Sequence, residues 1–105
     1  MKPPSPLESV IEKKVCDHAK SKGVLVYKFT SPSRRSVPDR MFITPQGVVF
    51  FAEFKRSGCK PTPSQEVEIG KIRSKGVSVF VIDDVVTGKA MVDGMLGSGV
   101  DLEGY

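Results

Sequence analysis

The chain has 105 residues, 39% of them hydrophobic and 27% charged, with a formal net charge of +4; this is one domain's length, with enough apolar side chains to close a core without staples. Two distant cysteines, Cys16 and Cys59, and a single histidine exclude a disulfide framework and a Cys/His zinc site, and the lack of a leader-like apolar stretch then predicts a cytoplasmic protein with reduced thiols. No run approaches the ~20 apolar residues of a membrane span, and the modest basic excess suits a polyanionic partner without requiring one.

Ser5-Pro6-Leu7-Glu8 has the S-x-x-E form of a capping box with proline at the first helical position. Leu7, Ile11, Val15 and His18-Ala19 recur at helical spacing and Gly23 follows two lysines, so a helix is predicted over 6–22. Val24 to Phe29 is β-branched and aromatic and reads as a strand. Ser31 to Ser36 is a loop by composition. Two strands over 39–44 and 48–55 flank Pro45-Gln46-Gly47, and a loop from Arg56 to Pro61 follows. Thr62-Pro63-Ser64-Gln65 is a second capping box, opening a helix with Val67, Ile69 and Ile72 on one stripe and Gly76 at its end. Val77 to Ile82 reads as a buried strand. Ala90, Met91, Met95 and Leu96 outline a last helix over about 87–96, against which Gly88 and Gly94 weigh. The order α-β-β-β-α-β, with a helix between the third and fourth strands, predicts a parallel crossover and an α/β class with a mixed four-stranded sheet.

The hairpin carries charge at the end away from its turn. Strand side chains alternate faces, so Glu53 and Lys55 point the same way. If Pro45-Gln46-Gly47 is a three-residue loop, Thr44 pairs with Val48 and Asp39 stands opposite Glu53; an even-numbered loop would turn Asp39 to the other face. Opposed side chains lie ~4.5–5.5 Å apart at Cβ, and like charges there repel. Two carboxylates so placed want a cation, and oxygen ligands on a rigid strand pair suit magnesium, with manganese able to substitute. Lys55 cannot neutralise both, but an ammonium beside a metal suits a phosphate oxygen or an attacking water. The constellation points to metal-assisted attack on a phosphodiester.

Each piece has a plainer explanation. A Glu-x-Lys triplet in a strand is usually a solvated face, and an aspartate after proline is usually a turn residue. The combination weighs more than its parts: Pro-Asp at one strand's start, a short hairpin, and Glu-x-Lys at its partner's end. His18, Met91 and Met95 read as packing residues, the methionines also as candidates for a dimer surface.

That joint pattern resembles the PD-(D/E)XK nuclease superfamily. The stretch from Lys28 to Arg40, followed by Phe51-Ala52-Glu53-Phe54-Lys55 and by Lys60 to Gln65, is similar to the VRR-NUC (virus-type replication-repair nuclease) family over about residues 7–83. Ser36 departs from it, standing where the family often has glycine; serine is small and implies a shifted loop at most. The resemblance implies a restriction-endonuclease-like fold with an α-β-β-β-α-β core. It implies that Asp39, Glu53 and the backbone carbonyl of Phe54 bind the divalent metal, that Lys55 activates water or steadies the transition state, and that a glutamate of the first helix completes the site. Glu8 has a local task in the capping box, so Glu12 is taken as that glutamate, with Glu8 and Gln65 as supporting candidates; the capping role explains Gln65 without chemistry. Stand-alone viral, including phage, and bacterial members resemble Holliday-junction resolvases and act as homodimers; larger relatives work on flaps and crosslinks.

Arg34, Arg35 and Arg40 lie just before or at the proposed metal, and Arg56 and Lys60 on the next loop, at the hairpin's open end. Phosphate contacts from such loops position a backbone without reading sequence. With no tryptophan and the aromatics inside strands, stacking of single-stranded bases is not expected. The sequence therefore predicts a magnesium-dependent, structure-selective DNA endonuclease acting on branched or duplex DNA. It would be resolvase-like and dimeric, leaving 5′-phosphate and 3′-hydroxyl ends by family analogy. The alternatives are a monomeric flap or nicking nuclease and a non-catalytic nucleic-acid-binding module of the same fold. The intact Asp39, Glu53 and Lys55 set argues against the last.

Overall fold

The computed structural model describes residues 7–100, with side chains through Gly97. In chain order the elements are α1 (Glu8–Ser21), β1 (Leu25–Lys28), β2 (Arg40–Ile43), β3 (Val49–Phe54), α2 (Pro63–Arg73), β4 (Ser78–Ile82) and α3 (Val85–Val100). The strands lie side by side in the same order. β2 is antiparallel to β1 and to β3, whereas β4, reached through α2, runs parallel to β3. This is the mixed α/β sheet expected from the sequence, with the crossover where the second helix implies it.

The hairpin turn sets the register. The Thr44 N–H donates to the Val48 carbonyl and the Gly47 N–H to the Thr44 carbonyl, each at 2.9 Å. Gly47 has φ +87°, a left-handed conformation that glycine adopts without a Cβ clash. The loop is therefore three residues long, Ile43 faces Val49, and Arg40 faces Ala52.

One face of the sheet carries the core. Phe42 and Phe50 stack with centroids 4.8 Å apart, and Phe80 meets Phe50 edge-on at 5.7 Å. Ile11, Val15, Cys16 and Ala19 of α1 and Val92 of α3 close over Phe42, Phe50, Ala52, Phe54 and Ile82 in one buried cluster. Each fully buried phenyl there stabilises the fold by about 1.5–3 kcal/mol. Burial pushes the Cys16 thiol up to about 11, which marks it as a packing residue rather than a nucleophile.

The third helix is longer than the sequence predicts. The Asp84 carboxylate accepts from the Thr87 N–H at 2.8 Å and from its hydroxyl at 2.9 Å, which caps the start of α3. Gly88 does not weaken this helix but lets it dock: a Cβ there would lie 2.7 Å from methyls of both Val15 and Ile82. A contact between His18 Nε2 and Asp93 Oδ1 at 2.8 Å ties α3 to α1.

The start of α1 also differs. The expected capping box draws on Ser5 and Pro6, which lie outside the described residues. Within them, Leu7 is the N-cap in extended conformation with no side-chain cap, and its carbonyl accepts from Val10 and Ile11 at 3.0 and 3.2 Å. Glu8 is thus the first helical residue, too early to act as the third residue of a box.

α2 lies over the other face of the sheet, on its β4 side, and leaves Leu25, Tyr27 and Val49 exposed. Its capping box forms as predicted between Thr62 and Gln65. No helix among the described residues is long and apolar enough to cross a membrane.

Candidate active site

Two carboxylates meet at the open end of the hairpin. One step beyond Arg40–Ala52 the ladder sets Asp39 opposite Glu53, on the face away from the phenyl core. The Asp39 carbonyl accepts from the Phe29 N–H at 2.9 Å, and its Oδ2 accepts from the Phe54 N–H at 2.8 Å. A further step sets Pro38 opposite Phe54. Proline has no N–H, so the ladder offers the Phe54 carbonyl no donor from β2 at that position.

Glu53 is 2% exposed. Its Oε2 accepts from Gln65 Nε2 at 2.9 Å and lies 3.3 Å from the Lys55 ammonium. The Gln65 amide is oriented by its own helix: Gln65 Oε1 accepts from the Thr62 N–H at 2.9 Å, and Thr62 Oγ1 accepts from the Gln65 N–H at 3.2 Å. The cap fixes which end of the amide reaches Glu53. Glu53 is pushed up to about 7, first by burial and then by Asp39 beside it, against the pull of Lys55. Asp39 is also raised, chiefly by burial, although its bond to the Phe54 N–H works the other way.

The helix glutamates part company. Glu12 Oε2 accepts from Arg40 Nε at 2.6 Å. Arg40 neighbours Asp39 on β2, so its side chain leaves the sheet on the opposite, α1 face. Glu8 is raised by partial burial and then by Asp39, while Lys55 lowers it, and it is Glu8, not Glu12, that adds to the raising of Glu53. The structure thus brings together Asp39, Glu53, Lys55 and Gln65 with Glu8 near them; Glu12 is paired with Arg40, yet its charge also raises Asp39. Among the described residues no three or more Asp, Glu, His or Cys side chains gather closely enough to hold an ion by themselves; the available donor set is the Asp39–Glu53 pair and the Phe54 carbonyl.

Of the basic residues, Arg35, Arg56 and Lys60 are exposed. Arg34 Nη1 donates to Glu68 Oε1 of α2 at 3.3 Å. The loop of Arg56 is anchored where the Gly58 N–H donates to Asp83 Oδ2 at 3.3 Å. Sequence reasoning missed Glu68 and the Ser36–Ser64 contact, where the hydroxyls lie 2.6 Å apart. The one available signal was the four-residue spacing of Ser64 and Glu68 on a predicted helix. A groove of about 240 Å³ lined by Ile69, Gly70, Arg73 and Val81 among others includes none of these carboxylates.

No protein-family model matches the chain. It is 42% identical over 76 residues to the putative nuclease p44 of Acyrthosiphon pisum secondary endosymbiont phage 1, a match covering 72% of this chain and 82% of that protein. Among solved structures it is similar to a VRR_NUC domain, with 30% identity and a TM-score of 0.76, over 82% of this chain and 94% of that one.

Proposed function

The chain belongs to the VRR-NUC family, and from that premise we propose that it is a magnesium-dependent DNA endonuclease selective for branched structure, in the manner of a Holliday-junction resolvase. The observation that carries the reading is the apposition of Asp39 and Glu53, with Glu53 buried and pushed up to about 7. Two carboxylates that resist ionising side by side are a poor structural choice and a good cation site. The donor set fits a hard divalent ion: Asp39, Glu53 and the Phe54 carbonyl, all oxygen, would hold magnesium, and manganese would substitute. When bound, the ion supplies the positive charge that offsets both carboxylates and polarises a phosphodiester oxygen.

The chain's own groups do the rest. Gln65 and Lys55 hold Glu53 by one oxygen, Oε2, which leaves Oε1 to the cation. The Phe54 N–H holds Asp39 in the same way. Lys55 keeps an ammonium at the edge of the site, where it can orient an attacking water or steady charge on the phosphate. Both helix glutamates feel the site, since Glu12 raises Asp39 and Asp39 raises Glu8; we take Glu8 as the freer of the two to join it. Glu8 has no cap to serve among the described residues and lies in the field of Asp39 and Lys55, whereas Glu12 is tied to Arg40. Exposed Arg35, Arg56 and Lys60 supply phosphate contacts around the site, and Arg34 can do so on leaving Glu68; Arg40 is held by Glu12 on the α1 face.

The test is cleavage of a labelled four-way junction, a 5′ flap and a linear duplex, with magnesium or with chelator. The wild-type chain is set beside Glu53→Gln, Glu8→Gln and Glu12→Gln variants. Paired cuts in the junction that need magnesium and vanish in Glu53→Gln are expected, with Glu8→Gln costing far more rate than Glu12→Gln. Cutting of the flap alone would keep the nuclease and discard the resolvase. Binding without any cutting would leave a nucleic-acid-binding module.

A further inference from the structure

The loop that leads into Asp39 is fastened to α2 at two neighbouring points. Ser36 Oγ lies 2.6 Å from Ser64 Oγ, and Arg34 Nη1 donates to Glu68 Oε1 at 3.3 Å. Ser64 and Glu68 are four apart and share one helix face. The two partners of the ion pair sit differently: the Glu68 side chain is 12% exposed and the Arg34 side chain 56%. A shielded carboxylate therefore holds a guanidinium that is otherwise open to solvent. Arg35, next in the chain, is exposed and has no ion pair among the described residues.

We infer that Glu68 competes with backbone phosphate for Arg34 and so sets how tightly the chain holds nucleic acid. The inference rests on the nucleic-acid reading above. A guanidinium forks onto carboxylate and phosphate with the same geometry, so the two acceptors compete for the Nη1 edge that Glu68 holds. A phosphate that takes the Nη1 edge of Arg34 parts it from Glu68 and leaves that carboxylate unpaired. Complexes that bind through Arg35, Arg56 and Lys60 alone carry no such cost. Glu68 thereby penalises substrates that reach the loop before Asp39 unless their other contacts compensate.

The experiment is equilibrium binding of a fluorescent duplex, followed by anisotropy in chelator at fixed salt. Wild type is compared with E68Q, R34Q and the double variant. A surface pair of this kind, with one partner open to solvent, is worth a factor of about two to five in an equilibrium constant, so E68Q is expected to tighten binding by about two- to fivefold. R34Q should weaken binding, and E68Q added to R34Q should give no gain. E66Q removes the same charge from the exposed Glu66, which has no ion pair among the described residues, and should leave affinity unchanged. Glu68→Asp, with a shorter reach to Arg34, should fall between wild type and E68Q and serves if E68Q melts early. Equal tightening by E68Q with and without Arg34, or by E66Q, would reveal a general charge effect and overturn the inference. So would unchanged affinity in E68Q. Binding by none of the proteins at low salt would instead overturn the nucleic-acid reading and this inference with it.

Discussion

Glu53 concentrates the consequences of the site in one titration. Its folded value of about 7 lies above the usual 4.5, so between those values the folded chain keeps a proton that the unfolded chain has released. Stability from this group is therefore full below pH 4.5 and is lost as pH rises through 7, by about 3 kcal/mol. Thermal melts in chelator should show the midpoint falling from pH 5 to pH 8. Glu53→Gln should remove most of that fall, and magnesium added at pH 8 should restore the wild type while leaving the variant unmoved. An equal fall in the variant would assign the pH dependence elsewhere. Ser36 offers a second residue-scale test, because it is a non-glycine residue at φ +66° whose hydroxyl meets Ser64. The left-handed backbone costs about 1 kcal/mol, close to the about 0.5–1.5 kcal/mol a hydrogen bond returns. Ser36→Gly should leave urea stability nearly unchanged, whereas Ser36→Ala should lower it by about 1 kcal/mol. Asp39, Glu53 and Lys55 were legible in the sequence because strand alternation and the parity of one turn fix their face. The choice between Glu8 and Glu12 was not, because the two are four apart and share one helix face. Glu68 was not, because a loop-to-helix contact leaves no periodic trace.

At the scale of elements, the sheet and α2 follow from local signals, and α3 shows where such signals mislead. A glycine inside a helix reads as a cost of about 1 kcal/mol relative to alanine, and this argued for a short, weak last helix. Gly88 is small for a tertiary reason: Val15 and Ile82 leave no room for a Cβ. Gly88→Ala should therefore destabilise the chain, by about 1–3 kcal/mol from overpacking, although alanine is the better helix former. Gly70 of α2 is the control, since a Cβ there meets nothing within 4 Å. Gly70→Ala should stabilise by about 0.5–1 kcal/mol. Denaturant titrations of the two variants check both signs; a stabilised Gly88→Ala would mean that α3 packs less closely on α1 and β4 than the structure has it. The Asp84 cap could have been found in the sequence, since Asp84 stands three residues before Thr87, in capping-box spacing.

The whole molecule raises a question of stoichiometry. The described residues carry one pair of apposed carboxylates, at the open end of one hairpin, and resolving a four-way junction takes two cuts in opposed strands. Two chains related by a twofold axis supply two equivalent sites, and a closed symmetric pair is the commonest way for one small chain to do so. Mixing active and inactive chains tests this directly. If wild type and Glu53→Gln are unfolded and refolded together in equal amounts, about half of the dimers should contain one site of each kind. Those mixed dimers should nick a junction once and release it unresolved. The expected outcome is a rise in singly nicked junctions as the inactive share grows, with resolved product falling as the square of the active fraction. A linear fall with no nicked intermediate would mean that each chain acts alone, and would move the substrate from the junction to the flap or the nicked duplex.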